Sequence, residues 1–170
     1  MKKKGLASLL CVTLFVTLIS GCSSDANSDS DNKAGKGDNV VKLGLLAPLT
    51  GTNAEYGKGF EVAAEMAIEE INNAGGVNGK KLEIEVADSK GDQKESSDLA
   101  RKFGDNDDIK AIIGDFASGS CMANAPIVDA AGIVQLSPTA SNPDYASMSP
   151  YTFSIMGRQD GEAPFFAKYI

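Results

Sequence analysis

The sequence predicts an α/β fold built on a doubly wound parallel sheet. Short apolar stretches alternate with segments of helical spacing along residues 40–170. The stretches at 109–114 and 133–136 have the length and flanking small residues of buried strands. The connections between them are short, as in parallel strand–helix–strand units. These observations together predict one doubly wound parallel sheet.

Five strands are predicted, over residues 41–46, 82–86, 109–114, 133–136 and 151–155. Pro48 and Gly51 end the first strand. The second strand alternates apolar and acidic residues, which is typical of a half-buried strand near the edge of a sheet.

Four helices are predicted, over residues 59–73, 93–103, 121–131 and 161–170. In the first helix one face is expected to carry the apolar side chains, namely Phe60, Ala64, Ala67 and Ile71. Glycines at 75 and 76 end this helix. The second helix is expected to bury Leu99 and Phe103. The third contains Pro126, which a helix tolerates in its opening turns or at a kink.

The N-terminal residues have the pattern of a bacterial targeting segment. Lysines at positions 2–4 precede an uncharged apolar run at 6–19, and Ile19-Ser20-Gly21-Cys22 resembles a lipobox. The apolar run is shorter than the roughly 20 residues that a membrane span needs. We therefore expect residues 1–21 to be a lipoprotein signal peptide and Cys22 to be the lipidation site and mature N-terminus.

Residues 22–39 are predicted to be the lipidated cysteine and a flexible tether. Positions 23–39 are rich in Ser, Asp, Asn, Gly and Lys and hold no large apolar residue. The acidic run at 29–32 lacks the glycine and glutamate of a calcium-binding loop. No metal site and no cofactor are predicted anywhere in the chain.

Composition excludes several classes of function. The chain has no histidine, so a serine nucleophile would lack its usual base, and an enzyme is not expected. Residues 1–21 hold three lysines and no acid, so without them the formal charge of −7 becomes −10. That charge argues against nucleic acid as a partner. Of three cysteines only Cys121 lies in the folded part, which excludes an intrachain disulfide there.

Two clusters of small residues, at 117–120 and 137–141, each follow a predicted strand. Hydroxyls and free backbone N–H groups at such positions can bind an anion. Because the clusters follow neighbouring strands, they are expected to face one crevice that suits a small carboxylate ligand. The alternatives are that Ser118 and Ser120 are helix caps, that 137–139 is an ordinary turn, and that Tyr56 is a surface aromatic.

The order and spacing of several short motifs resemble the type I periplasmic binding proteins, and within them the Leu/Ile/Val-binding proteins of ABC importers. The motifs are VKLGLLAPLTG at 41–51, YG at 56–57, INNAGGVNGK at 71–80, IIG at 112–114, SGS at 118–120 and SPTASNP at 137–143. The resemblance implies two lobes that close on an amino acid. It places the first lobe at 40–156, and the hinge with the first helix of a truncated second lobe at 157–170. We therefore expect the chain to be the N-terminal portion of a longer protein.

The resemblance also implies roles for individual residues. Ser118 corresponds to the serine that holds the ligand carboxylate. Thr139 corresponds to the residue whose backbone binds both the carboxylate and the amino group, and Ser141 to a threonine whose hydroxyl bridges these two groups. The implied ligand-binding set is Ser118, Gly119, Ser120, Thr139, Ala140, Ser141 and a covering aromatic at Tyr56.

The implied function is capture of a branched-chain amino acid, or a similar small carboxylate, outside the cytoplasm. Implied partners are ABC permease subunits and, through the lipid anchor, the membrane. A receptor of the same fold that reports its ligand to a signalling partner is the alternative, and the anchor favours transport. Ligand identity depends largely on the second lobe.

Overall fold

The protein is described by a computed structural model, which covers residues 39–170. The predicted signal peptide, Cys22 and all of the tether before Asn39 lie outside the described residues. The strands are β1 Val40–Ala47, β2 Lys81–Asp88, β3 Ile109–Ile113, β4 Val134–Ser137 and β5 Thr152–Ser154. The helices are α1 Ala54–Asn73, α2 Gln93–Gly104, α3 Ser118–Ala131 and α4 Gln159–Phe166, with a 3₁₀ turn at Tyr145–Ser147.

All five strands are parallel and lie in the order β2-β1-β3-β4-β5. From β1 the chain passes to β2 on one side and then returns to β3 on the other, so the winding direction changes between β1 and β3. Right-handed crossovers then place α1 on one face and both α2 and α3 on the opposite face. The prediction of a doubly wound parallel sheet is confirmed, and β2 is an edge strand as its alternation indicated.

The main core lies between the sheet and the pair α2 and α3. Leu46, Phe103, Ile112 and Val128 are fully buried there, and Leu99 packs against them. Phe103 lies over Gly44, where a Cβ atom would come within 2.6 Å of the ring. Both inward positions predicted for α2 are therefore confirmed.

Helix α1 begins at Ala54, five residues before the predicted start. The added residues include Gly57, whose helix propensity is low. Gly57 is buried in the first turns of α1. Its backbone packs so closely against Pro48 that a Cβ atom at this position would lie 2.1 Å from the Pro48 carbonyl oxygen. Close packing against the β1–α1 connection thus outweighs the intrinsic cost of glycine.

The predicted apolar face of α1 is correct in its first half and wrong in its second. Phe60 and Ala64 are half-buried, but Ala67 and Ile71 are exposed and Ile68 takes their place. Asn72 explains the difference, since its side-chain amide donates to the Leu82 carbonyl at 2.9 Å and accepts from the Leu82 N–H at 2.7 Å. These two bonds turn positions 68 and 72 towards β2.

Helix α3 begins at Ser118, three residues before the predicted start, so Pro126 is the ninth of fourteen residues. Of the two placements considered for Pro126, the opening turns are therefore excluded. Gly132 ends the helix in the left-handed conformation at φ 64°. Helix α4 begins two residues before the prediction and ends at Phe166. Between residues 39 and 170 no helix combines the length and apolarity needed to cross a bilayer.

Candidate functional site

The candidate site lies at the carboxyl ends of β3 and β4, next to the switch point between β1 and β3. In doubly wound sheets this is where ligands bind. Two connections form it: the β3 loop, residues 114–117, and the β4 loop, residues 138–144. Because β3 and β4 are hydrogen-bonded neighbours, the loops emerge side by side.

The first turn of α3 presents backbone donors at the β3 loop. The first amide bonded within the helix is that of Cys121, which donates to the Ala117 carbonyl at 3.0 Å. The amides of residues 118–120 therefore have no partner inside the helix. The N-cap is Ala117, which has no capping side chain, so Ser118 and Ser120 are not N-caps. The positive end of the helix dipole adds to the attraction for an anion.

Side-chain hydrogen bonds join the two loops. Ser137 Oγ donates to the Asp115 carbonyl at 3.0 Å, and Thr139 Oγ1 donates to the Phe116 carbonyl at 2.7 Å. The backbone N–H of Asn142 lies 3.4 Å from Ser118 Oγ. The structure therefore brings the two predicted clusters together.

The predicted residues differ in what they offer a ligand. Ser118, Gly119 and Ser141 are partly exposed. Ala140 is 2% exposed, and both its backbone groups are bonded internally, its N–H to Ser137 Oγ and its carbonyl to Ser154 Oγ. Thr139 is partly exposed, with its hydroxyl and N–H bonded to groups of the two loops. The accessible polar groups are thus concentrated at residues 118, 119 and 141.

Ser120 is the most enclosed of the predicted residues. It is 1% exposed, and its hydroxyl has no hydrogen-bond partner among the described residues. Its backbone N–H remains one of the three donors of the first turn of α3, and that group, rather than the side chain, suits a ligand.

Aromatic rings form an apolar wall beside the β3 loop. Tyr56 stacks on Phe116 with ring centroids 4.6 Å apart and planes 20° from parallel. Phe60 lies 6.3 Å from the same ring. Tyr56 is 49% exposed, so it contacts the loop on one side and leaves its other side accessible. That Tyr56 covers a bound ligand stays a prediction.

A profile of the family described as "Periplasmic binding protein" matches residues 40–170. The chain belongs to this family. It is 38% identical over 131 residues to Leu/Ile/Val-binding protein homolog 1 of Brucella abortus (strain 2308), which covers 76% of this chain and 35% of that protein. The chain therefore spans about a third of the length of this curated relative.

Solved structures of the family share the fold. A putative branched-chain amino acid ABC transporter protein from Rhodospirillum rubrum is 39% identical with a TM-score of 0.71, over 76% of this chain and 38% of that one. An ABC transporter substrate-binding protein from Desulfitobacterium hafniense, solved with Leu, is 31% identical with a TM-score of 0.70, over the same shares.

Three residues near this periplasmic binding protein site are not predicted from the sequence. Phe116 contributes a ring to the wall. Gln93, the first residue of α2, lies against the first turn of α3, since a Cβ atom on Gly119 would come within 2.3 Å of its Nε2. Asp115 is a buried residue of the β3 loop. Their position in the sequence could have indicated them, because all three follow the carboxyl end of a strand at the same edge of the sheet.

Ionisable groups near the site are perturbed by burial. Burial raises the pKa of Asp115, although the hydrogen bond from the Phe116 N–H to its Oδ1 opposes the shift, and Oδ2 has no hydrogen-bond partner among the described residues. Burial also raises the pKa of the Cys121 thiol to about 11, which makes it a poor nucleophile. Among residues 39–170 no three Cys, Asp or Glu side chains are grouped to hold a metal ion.

Asp88 organises the neighbouring β1–α1 connection. Its carboxylate accepts bonds from the Leu49 N–H at 2.8 Å, the Thr50 hydroxyl at 2.6 Å and the Lys90 N–H at 2.8 Å. Burial raises the pKa of Asp88, but these bonds outweigh it and hold the pKa below its usual value. The carboxylate thereby fixes the connection that leads into α1 and Tyr56.

Proposed function

We propose that this chain is part of an extracytoplasmic solute-binding protein of an ABC importer. The protein captures a branched-chain amino acid, or a similar small carboxylate, and delivers it to the permease. It is a binding protein and not an enzyme. The observation that carries this proposal is the set of three backbone amides at the start of α3, beside the β4 loop and its hydroxyls.

The arrangement suits a carboxylate for electrostatic and geometric reasons. The amides of residues 118–120 and the Ser118 hydroxyl offer donors to the two carboxylate oxygens. The Ser141 hydroxyl, which makes no hydrogen bond within the described chain, lies on the neighbouring loop. Tyr56 and Phe116 offer an apolar surface to the rest of the ligand.

The proposal includes two lobes, of which residues 40–156 form the first. Residues 157–170 are the hinge and the first helix of the second lobe, in which the acidic partner of the ligand ammonium would lie. Two observations support this division. Helix α4 has no buried residue, and the curated relative is about three times as long as the matched segment.

A titration with matched ligands tests the proposal. We define the two-lobed protein as this chain continued into a second lobe, as in its relatives. Calorimetry is expected to detect binding of leucine, isoleucine or valine, and leucinamide, which lacks the carboxylate, should bind at least tenfold more weakly. Equal binding of leucine and leucinamide would contradict a carboxylate site at α3.

The lipid anchor is a separate part of the proposal. Cys22→Ser is expected to abolish incorporation of labelled fatty acid and to release the protein from the membrane fraction. Cys11→Ser, which changes a cysteine inside the apolar run, is the control and should leave both unchanged. Label retained on the Cys22→Ser protein would exclude this anchor.

A further inference from the structure

Ser137 occupies the junction of the two loops and is not among the ligand-binding residues assigned above. It is the last residue of β4 and is fully buried. Its hydroxyl donates to the Asp115 carbonyl at 3.0 Å in the β3 loop. The same oxygen accepts from the Ala140 N–H at 2.9 Å and from the Thr139 N–H at 3.3 Å in the β4 loop.

These three bonds use the whole capacity of the side chain. A hydroxyl has one donor and two acceptor positions. Ser137 therefore has nothing left to offer a ligand, and its burial also excludes direct contact. Any effect of this residue on binding must pass through the loops that it joins.

The groups that Ser137 bonds have few other partners. Ala140 is 2% exposed, so its N–H would lose its only partner in the described chain if the hydroxyl were removed. The Asp115 carbonyl would keep one weaker donor, the Cys121 thiol at 3.2 Å. Buried polar groups without partners destabilise the conformation that buries them, so both loops would rearrange.

Resting on the function proposed above, we infer that Ser137 is a positioning residue for the ligand site. Its hydroxyl holds the β4 loop, with Thr139 and Ser141, at a fixed distance from the β3 loop and the first turn of α3. A bound carboxylate that spans the two loops requires this spacing, because a hydrogen bond weakens steeply as its distance lengthens and its donor–hydrogen–acceptor angle departs from linear.

Ser137→Ala in the two-lobed protein tests the inference, with Ser149→Ala as its matched control. Ser149 is also a buried serine that makes two bonds, donating to Asp129 Oδ1 at 2.8 Å and accepting from the Tyr151 N–H at 3.0 Å, but it lies outside both loops. We expect Ser137→Ala to raise the Kd for leucine at least tenfold. Ser149→Ala should leave that Kd within twofold of the wild-type value. It should nevertheless lower the free energy of unfolding about as much as Ser137→Ala does.

Two further variants separate positioning from packing. Ser137→Thr keeps the hydroxyl and should hold the Kd within about threefold of the wild type, since the three bonds remain available. If Ser137→Ala fails to fold, Ser137→Cys keeps the size with weaker hydrogen bonding and should raise the Kd in the same direction. An unchanged Kd in Ser137→Ala, or an equal rise in Ser137→Ala and Ser149→Ala, would overturn the inference.

A measurement without ligand distinguishes failure of this inference from failure of the proposed function. If the wild type binds none of leucine, isoleucine and valine, the proposed function is wrong. Hydrogen exchange then reports on Ser137 alone. Faster exchange of the Cys121 amide, which is bonded to the Ala117 carbonyl of the β3 loop, in Ser137→Ala but not in Ser149→Ala would show that the hydroxyl couples the loops. Unchanged exchange of the Cys121 amide would overturn the coupling.

Discussion

Ser118 and Ser141 belong to different elements of the candidate site, one to the first turn of α3 and the other to the β4 loop. In the two-lobed protein we expect Ser118→Ala and Ser141→Ala each to weaken leucine binding by about 1.5–3 kcal/mol, the range for a hydrogen bond to a charged group. Calorimetry measures the change.

Ser147→Ala is the control for these two variants. Ser147 is exposed and bonds only the Asp144 carbonyl, at 2.8 Å, so its removal should leave affinity unchanged. If Ser118→Ala and Ser141→Ala bind leucine as tightly as the wild type, their hydroxyls do not contact the carboxylate.

Asp115 is a buried carboxyl whose charge is unfavourable in the fold. Burial raises its pKa, so its contribution to stability decreases as the pH rises through the raised value. Asp115→Asn keeps an acceptor for the Phe116 N–H and removes the charge. We expect it to raise the free energy of unfolding at pH 7, because the buried carboxylate is charged there and the amide is not. Urea denaturation measures it.

The pH dependence of the free energy of unfolding is a second test of the sign of this effect. The advantage of Asp115→Asn should shrink as the pH falls towards 3.8, the ordinary value for aspartate, because the wild-type carboxyl is then increasingly protonated. A variant less stable than the wild type at pH 7 would show that the ionised form is preferred in the folded state.

At the scale of elements, α1 depends on its close approach to the β1–α1 connection. Gly57→Ala would place a Cβ atom 2.1 Å from the Pro48 carbonyl oxygen. We expect a loss of about 1–3 kcal/mol in the free energy of unfolding, typical of overpacking, despite the higher helix propensity of alanine. Thermal or urea unfolding measures it.

Gly59 provides the matched control in the same helix. A Cβ atom at Gly59 meets nothing within 4 Å, so Gly59→Ala should stabilise the protein by about 0.5–1 kcal/mol through helix propensity alone. If both variants stabilise the protein, the contact between Gly57 and Pro48 does not constrain α1.

The elements show how far the sequence determines the fold. Alternation and periodicity predict every strand and helix because burial imposes these patterns directly. They miss the start of α1, the interior position of Pro126 and the inward turn of Ile68. For α1 and for Ile68 a tertiary contact decides, namely Gly57 against Pro48 and Asn72 against Leu82. Pro126 is interior because α3 begins three residues before its predicted start.

The site is predictable to a different extent. The hydroxyl clusters are visible in the sequence because each follows a buried strand. Gln93, Phe116 and Asp115 are not, because their relation to the site arises only when β2, β3 and the helices after them are packed together. Whether each predicted residue contacts a ligand stays a prediction.

At the scale of the whole molecule, the described chain contributes one side of the proposed cleft. Phe165, Phe166 and Tyr169 at the C-terminal end are 55%, 60% and 75% exposed. We expect the 170-residue chain alone to bind leucine at least 100-fold more weakly than the two-lobed protein, because the proposed function assigns half of the contacts and the partner for the ammonium to the second lobe. Calorimetry on both proteins tests this. Equal affinity would show that one lobe forms the complete site.

The most direct test of the account is a crystal structure of the two-lobed protein with leucine. We expect one carboxylate oxygen within about 3 Å of the Ser118 hydroxyl and of amides in the first turn of α3, with the Ser141 side of the β4 loop contacting the same group. A leucine whose carboxylate points away from α3, or that binds elsewhere on the molecule, would contradict the central claim.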